Sequence, residues 1–524
     1  MSNNAHYGGK QLSTATAVPC RLLGRHKEYA ELTNELYILD TVQHGYKLVF
    51  EDGPPPPSFT PNNRSALEDR LFVRAELHRL EGLGCILRET EQPMIVLPHS
   101  RVFSNKMRLV LDASRGLNPF CRQRGIKLNN LSHVKNVVQQ GDWKTVNDLD
   151  SGYWRGPIHK DSWQYLGIHF VEDDGSVSFW TWRVLVLGII DATHIFTWLL
   201  APIIACLRRE GIRCLIYIDD FLLPAASKQL ARQHGERALE LFARCGWRFN
   251  KDKSSGPPSR IVKFLGLNID SRDLSFSIPK DKLKRVRKLL GDLKRLIVNK
   301  IGRCEGKYRK VHVKLLAKLL GTLQSLRLAT GPLTAVMTRA LYATTAAAFS
   351  WSCYVLPDQY ARDEVEWWHK HIHSLDRYPI DSLRTATPIT FEVASDASAI
   401  GHFVYMMNGE KTMLASRAFS EEEKEQSSTW RELTAVRDTW TNPDILGKSK
   451  SSGIAHYTDN QAVVHVLSRG SRNPRLYPLV VETILALRKY NIRLKAIWKS
   501  RDNRIIYFAD RGSPDFHADD VSLE

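Results

Sequence analysis

The pentapeptide Tyr217-Ile218-Asp219-Asp220-Phe221 constrains this chain more than any other segment. An apolar run, Leu215 to Ile218, leads into two adjacent acids, and a second run, Phe221 to Leu223, leads out. That composition predicts a hairpin whose tight turn presents carboxylates. Adjacent like charges repel and favour a counter-ion. A hard divalent cation such as magnesium supplies one, bound through oxygen. An isolated Asp-Asp pair is usually a solvated turn; the apolar flanks on both sides favour the sharper reading.

A partner lies upstream, in Val146-Asn147-Asp148-Leu149-Asp150-Ser151-Gly152-Tyr153. If Asp148 ends a neighbouring strand, three carboxylates converge. Such a site holds two metals about 3.5–4 Å apart, one for the attacking and one for the leaving oxygen of an in-line phosphoryl transfer. Asp150-Ser151-Gly152 also matches the triplet of an aspartic protease, but a lone triplet is common by chance and this one is embedded in the carboxylate segment.

The bulk numbers agree with a nucleic-acid protein without requiring one. The 524 residues suffice for three or four domains, and 43% hydrophobic residues allow sizeable cores. A net charge of +18 favours a polyanionic partner. Much of that charge lies in residues 280–318, which hold fifteen Lys/Arg against three acids. Leu283, Val286, Leu289, Leu290, Leu293 and Ile297 add an apolar helical stripe there. The stretch reads either as a solvated helical face or as a helix along a phosphate backbone, with Lys282, Lys284, Arg285, Arg287 and Lys288 as contacts. Eight scattered cysteines contain no C-x-x-C pair, so neither disulfide framework nor zinc site is signalled. Met1 to Lys10 lacks the apolar core of a signal peptide. Val184 to Leu207 is apolar and long enough to span a membrane, but Asp191 and His194 sit near its centre. A central Asp alone costs roughly 2.5–3.5 kcal/mol on insertion, so a buried segment of a soluble domain is expected.

Elsewhere, Pro54 to Pro57 suits a connection. A helix is predicted over 65–83 from Leu67, Leu71, Val73, Leu77 and Leu80, and a strand pair over 93–112 around a polar tip, Ser100 to Lys106. Gln229 to Cys245 reads as a helix and Val262 to Ile269 as a strand. From about residue 389 strands and helices alternate again: Thr390 to Ala394, a hairpin His402 to Ala418 around Asn408-Gly409, helix Ser428 to Trp440, strand Gly453 to Thr458, helix Leu476 to Tyr490 and strand Ile492 to Trp498. Four acids fall on these elements. Asp396 follows the first strand, Glu432 lies on the helix from Ser428, Asp459 ends a strand, and Asp510 is expected to open a short terminal helix. Any one of them alone reads as a surface acid.

Taken together, these motifs resemble a reverse transcriptase followed by a ribonuclease H, over nearly all of residues 65–515. The resemblance implies an α+β right-hand polymerase: fingers, a ferredoxin-like palm and a helical thumb/connection, with an α/β ribonuclease H-like domain behind. It implies boundaries of 1–64 for an N-terminal extension, 65–275 for fingers and palm, 276–385 for thumb and connection, and 386–524 for the ribonuclease H-like domain. In that family the acid opening the first motif and the two acids of Tyr-x-Asp-Asp bind metal, which here gives Asp148, Asp219 and Asp220, with Leu149 assigned to the same metal and nucleotide contacts. Tyr153 takes the place of the aromatic gate against a ribonucleotide's 2′-hydroxyl. Arg108 to Asp112, with Arg115 and Leu117-Asn118, resembles the fingers segment; Arg108 and Asp112 are expected at the incoming nucleotide. Leu187-Gly188 with Asp191-Ala192 resembles the nucleotide-pocket motif. Gly246 to Asn250, Lys253-Ser254 and Phe264-Leu265-Gly266 resemble the last palm motifs and primer grip, placing Lys253 at nucleotide and Phe264, Leu265 and Gly266 at nucleic acid. The sequence departs from the family at Val186-Leu187, where Pro-Phe or Pro-Gln is usual, and at Thr193, where proline is usual.

Ser-Asp-Ala-Ser at Asp396, Arg-Glu-Leu at Glu432, Thr-Asp-Asn at Asp459 and Ala509-Asp510 resemble ribonuclease H, which implies two magnesium ions held by three Asp and one Glu; Asn503 fits retrotransposon forms of that domain. The histidine that many of these enzymes carry before the last Asp has no clear equivalent. The subfamily texture, including Gly321 to Gly331 and the end Asp515 to Asp520, looks most like DIRS-type elements, with gypsy-type next. The implied cycle copies RNA into DNA, passes the hybrid over 280–318, and cuts the RNA strand. Implied cofactors are two Mg2+ per site, with Mn2+ as an alternative. Implied partners are RNA template, DNA primer, RNA–DNA hybrid and deoxynucleoside triphosphates; a recombinase or Gag from the same element is a further candidate. No membrane is implied, and an intracellular location in cytoplasm or nucleus is expected. Two rival readings stand beside this one. The first is a domesticated or inactive relative that binds nucleic acid without catalysis. The second is an RNA-dependent RNA polymerase, which Tyr153 and the second carboxylate set oppose.

Overall fold

In the computed structural model the predicted hairpin is a pair of antiparallel strands, Leu215–Tyr217 and Asp220–Ala225, with Trp143–Asp148 on the outer side of the second. The structure describes the chain except residues 1–20, 104–106, 251, 253, 255, 299–308, 381–388, 409–410, 451, 472, 474 and 513–524. Lys253, the tip residues 104–106, Gly409, the middle of the basic stretch (299–308), Met1 to Lys10 and the end Asp515 to Asp520 therefore lie outside the described residues. The chain divides into two compact units, Met1–Phe264 and Leu265–Glu524.

In the first unit, this three-stranded sheet is backed by the helix Lys228–Arg244, which also packs against the helix Ala192–Arg209. The helix Ala192–Arg209 is the apolar stretch that has the length of a membrane span. Its apolar side chains Ile195, Phe196, Leu199, Leu200 and Ile203 are buried in the core of the unit, and no described helix is long and apolar enough to cross a membrane. Asp191 is buried at its start, where it accepts from the Arg124 backbone N–H at 3.1 Å and the Tyr46 hydroxyl at 3.4 Å. A second, five-stranded sheet runs Ser58–Phe59, Ile95–Val96, Gly167–Val171, Val177–Trp182, Ile86–Glu89, and His99–Phe103 pairs with Met107–Leu111 as expected.

The predicted helix 65–83 is two helices, Arg64–Leu67 and Arg70–Gly82. Asp69 breaks it, because its side chain accepts from the Phe72 backbone N–H and caps the second helix. Val73, Leu77 and Leu80 are buried, but Leu67 and Leu71 are exposed, so the apolar stripe is narrower than the spacing suggested. The strand expected over 262–269 is also divided, into Ile261–Phe264 and Leu267–Asp270, because Leu265 and Gly266 adopt positive φ of 44° and 82°. Two successive left-handed residues reverse the chain.

In the second unit, the basic stretch forms the helix Lys280–Leu293, with Val286, Leu290 and Leu293 turned inward, and later the helix Val313–Gln324. The acids of the C-terminal part stand on a mixed five-stranded sheet: Lys411–Ala418, Gly401–Asn408, Ile389–Ala397, Gly453–Thr458, Arg493–Trp498. The first three strands are antiparallel; Ile389–Ala397, Gly453–Thr458 and Arg493–Trp498 run parallel. Parallel neighbours need crossovers, supplied by the helices Ser428–Thr441 and Tyr477–Lys489, which also pack on each other. This mixed sheet with its helices gives the second unit an α/β domain, as expected, within a chain that is α+β as a whole. Asp396 lies inside its strand rather than after it, and Asp510 sits in the last turn of Arg504–Arg511 rather than opening that helix. Asn503 is the true helix start, accepting from the Ile505 backbone N–H.

Candidate active sites

Strand register builds the first site. Asp148 stands directly opposite Asp220, and Asp220 also faces Tyr217 across the hairpin. Ile218 takes φ +55°, which makes the turn and leaves Asp219 at its end. The Asp219 carbonyl accepts from the Leu149 backbone N–H at 2.9 Å, tying the turn to the end of the neighbouring strand. The Asn250 backbone N–H donates to the Asp148 carbonyl at 2.7 Å, so the 246–250 segment clamps the same point. Three acids predicted from sequence are thus held together by backbone bonds. Leu149 has a buried side chain, so only its main chain is available to a metal or nucleotide.

The chain after Asp148 turns sharply at Ser151, φ +52°, and starts a short helix at Gly152. A Cβ on Gly152 would meet the Phe196 ring at 2.7 Å, so this turn needs glycine for close packing. Tyr153 stacks on Phe196 with ring centroids 4.5 Å apart, and its hydroxyl meets that of Thr193 at 3.1 Å. Thr193, where the resemblance leads one to expect proline, therefore helps hold the Tyr153 ring. Burial raises the Tyr153 phenol pKa, and the nearby Asp219 carboxylate adds to it. Asp150, of the protease-like triplet, is held by the Arg155 guanidinium at 3.6 Å.

Other expected nucleotide contacts have structural duties. Gly188 takes φ +121°, and a Cβ there would lie 2.4 Å from the Leu111 carbonyl. Asn118 donates to the Gly188 carbonyl and accepts from the Ile190 N–H, both at 2.9 Å. Asn118, which the sequence places in the fingers-like segment without a contact role, thus braces the Gly188 turn. Leu187 is exposed. Asp112 accepts from the Ser114 hydroxyl, which lowers its pKa, and from Asn63. Arg108 is exposed, opposite Val102 on the strand pair. Phe264 is buried and offers no side-chain surface to nucleic acid. Within the second unit, Lys282 donates to the Gly266 carbonyl at 3.3 Å. Lys284, Arg285, Arg287 and Lys288 are exposed on the basic helix.

The second site is assembled from distant elements. The ligand atoms of Asp396, Glu432 and Asp459 lie within 4.8 Å of one another. Ser427 caps the helix that carries Glu432, and Asn460 caps the helix that follows Asp459. Burial pushes the Asp396 carboxyl up to about 6, with Asp510 and Asp459 adding repulsion. Burial also holds Glu432 well above the ordinary carboxyl range, with Asp396 and Asp459 contributing. Glu432 Oε2 is buried without a hydrogen-bond partner. A buried, partnerless carboxylate oxygen among like charges fits a divalent cation. Asp510 acts on Asp396 from its helix, outside the close group. Two features escaped the sequence. Arg501 donates to Asp459 Oδ2 at 2.7 Å while its side chain is 73% exposed. Beneath Asp396, Trp440 donates to His456 Nδ1 at 3.1 Å, and His456 Nε2 lies 2.9 Å from Ser395 Oγ. An indole only donates, so the ring proton belongs on Nε2 and points at Ser395. Burial drops the His456 pKa to about 3, keeping that imidazole neutral.

Comparison with known proteins bears on the first site. A family model described as reverse transcriptase (RNA-dependent DNA polymerase) matches residues 91–269. "Protein P" of duck hepatitis B virus (strain China) is 26% identical over 166 residues, 32% of this chain and 20% of that protein. The Pro-Pol polyprotein of simian foamy virus type 1 is 24% identical over 197 residues, 36% of this chain and 16% of that protein. The chain thus aligns with about a fifth or less of these relatives' lengths. In fold, it is similar to a foamy viral protease-reverse transcriptase in complex with double-stranded DNA, with a TM-score of 0.53 and 16% identity, covering 94% of this chain and 84% of that one. It is also similar to the foamy viral protease-reverse transcriptase in complex with an RNA/DNA hybrid, with a TM-score of 0.50 and 15% identity, covering 92% of this chain and 64% of that one. Residues 91–269, which carry Asp148, Asp219 and Asp220, are thus the part of the chain that is similar to the reverse transcriptase (RNA-dependent DNA polymerase) family.

Proposed function

We propose that the chain copies RNA into DNA at Asp148, Asp219 and Asp220 and degrades the RNA strand of the hybrid at Asp396, Glu432, Asp459 and Asp510, as part of retrotransposon replication. The observation that carries the reading is the register that sets Asp148 against Asp220 at the end of a hairpin, inside the segment matched to the family. The close group at Asp396, with its partnerless Glu432 oxygen, supports the second activity. Divalent ions, magnesium or manganese, would supply activation of the attacking oxygen and stabilisation of the leaving one. The chain's own groups do the rest. Backbone bonds from Leu149 and Asn250 hold the first carboxylates in place. The Tyr153 ring, braced by Phe196 and Thr193, closes the space beside Asp219 against a 2′-hydroxyl. Template, primer and hybrid are read through backbone and shape, since any sequence must be copied. The four-part division at residues 64, 275 and 385 belongs to this proposal.

Primer extension on an RNA template with all four deoxynucleotides tests it, beside Asp219→Asn/Asp220→Asn and a separate Asp396→Asn variant in a hybrid-cleavage assay. Extension lost only in the first variant and cleavage lost only in the second supports both sites. No extension by the native chain, with tight hybrid binding intact, would leave the domesticated binding protein.

A further inference from the structure

The second unit exposes a group of large apolar side chains that the carboxylate chemistry does not use. Phe349 is 93% exposed, Trp351 62% and Tyr354 64%, and Tyr342 and Leu356 lie exposed nearby in sequence. Monomeric proteins seldom leave such a group uncovered unless it binds something. Phe349, Trp351 and Tyr342 line a cleft of about 470 Å³, whose floor is the apolar face of the helix Val313–Gln324. On the other side of that helix a second cleft, about 730 Å³, is lined by Lys282, Arg285, Lys288 and Lys318. Asp292 also lines it and is ion-paired with Arg295 at 2.5 Å. Gly321 belongs to the wall of both clefts, and a Cβ built on it meets nothing within 4 Å. The low saddle at Gly321 therefore connects a basic half to an aromatic half.

We infer that this connected track binds an unpaired nucleic-acid strand, with phosphates in the basic half and bases stacked on Phe349 and Trp351. Charge complementarity selects the occupant. Arg309, Lys310, Lys314 and Lys318 are exposed along the segment that leads into and forms the helix flooring the aromatic cleft, whereas lysine is depleted from protein–protein interfaces. A positive groove paired with aromatic platforms is the arrangement that holds single strands. A duplex covers the base faces that stacking needs, so the strand at the aromatic half is single. The inference rests on the reading of the chain as a nucleic-acid enzyme but uses neither carboxylate site.

The test is anisotropy titration of the full chain, in EDTA, with fluorescein-labelled single-stranded DNA and RNA of about 12 nucleotides and with a blunt duplex. Phe349→Ala/Trp351→Ala is expected to weaken single-strand binding about tenfold or more while duplex binding is kept. Both side chains are mostly solvent-exposed, so the variant is expected to fold, which an unchanged circular dichroism spectrum checks. Gly321→Leu, which fills the saddle, is expected to weaken binding similarly, and Lys318→Glu to reduce the salt dependence. The DNA and RNA arms show which strand is taken. Unchanged single-strand affinity in Phe349→Ala/Trp351→Ala would overturn the inference. So would a native dimer, seen by sedimentation, that the same variant dissociates, since a second copy would then cover the patch. If the native chain fails to extend primers yet binds single strands through Phe349 and Trp351, the polymerase reading fails and this one stands.

Discussion

The two carboxylate sites solve the same electrostatic problem in opposite ways. At the first, the acids come from two paired strands and one turn, and Asp219 and Asp220 remain partly open to solvent. At the second, Asp396, Glu432, Asp459 and Asp510 come from four places spread over 115 positions of sequence numbering (396 to 510); the first three lie close together, and Asp396 and Glu432 are buried. Open acids keep their hydration and repel weakly; buried ones lose it and push each other toward protonation. The second site is thus under greater tension without a cation, and Arg501 is the basic side chain seen on it.

The largest expected effect separates the sites. Asp148→Asn is expected to lower primer extension about a thousandfold, the order expected when several kcal/mol of transition-state stabilisation is lost, and to leave hybrid cleavage unchanged. Asp396→Asn is expected to do the reverse. Equal loss of both activities in either variant, measured on the same preparation, would break the two-site picture.

Stability against pH sharpens the contrast. Asp396, raised to about 6, and Glu432, raised further from its ordinary value, prefer the protonated form in the folded unit. Their folded pKa values exceed the unfolded ones, so the stability they contribute is present at low pH and is lost as pH rises through about 6. In EDTA, the calorimetric transition of the second unit should therefore move down in temperature between pH 5 and pH 7 by a few degrees. Saturating manganese at pH 7 should raise it again. A transition that Asp396→Asn leaves just as sensitive to pH would sink this account.

Arg501→Ala gives a smaller effect. The guanidinium and a metal compete for Asp459, so the variant should bind manganese several-fold more tightly in isothermal titration, while an exposed ion pair changes stability by only about 0–1 kcal/mol. Weaker manganese binding would mean that Arg501 supports the ion instead of excluding it. The smallest effect concerns Thr193→Val. Losing the hydroxyl that meets Tyr153 removes about 1 kcal/mol of positioning. Competition between ribo- and deoxynucleotides in extension assays should show a several-fold loss of sugar discrimination, and unchanged discrimination would free Thr193 of that role.

Much of the first site could be read before any coordinates, because a hairpin with adjacent acids is a local pattern. Its partner Asp148 needed only one neighbouring strand. The strand at 262–269 was misread as continuous because Leu265 gives no hint of a positive φ, which glycine or asparagine would have signalled. Leu67 and Leu71 were misread because helical spacing does not say where a cap such as Asp69 interrupts the turn.

The sequence by itself determined many of the elements: apolar periodicity and turn residues set the hairpin of Asp219 and Asp220, the basic helix Lys280–Leu293 and the alternating strands and helices after residue 389. It also determined which acids were available, since carboxylates at strand ends are visible as letters. Tertiary structure alone decided which groups meet. The Arg501 contact with Asp459, the Trp440–His456–Ser395 chain beneath Asp396 and the saddle at Gly321 join residues that no period or motif links. The physical reason is that local propensity acts over a few residues, whereas burial, repulsion and cleft shape depend on chains folded together from distant positions.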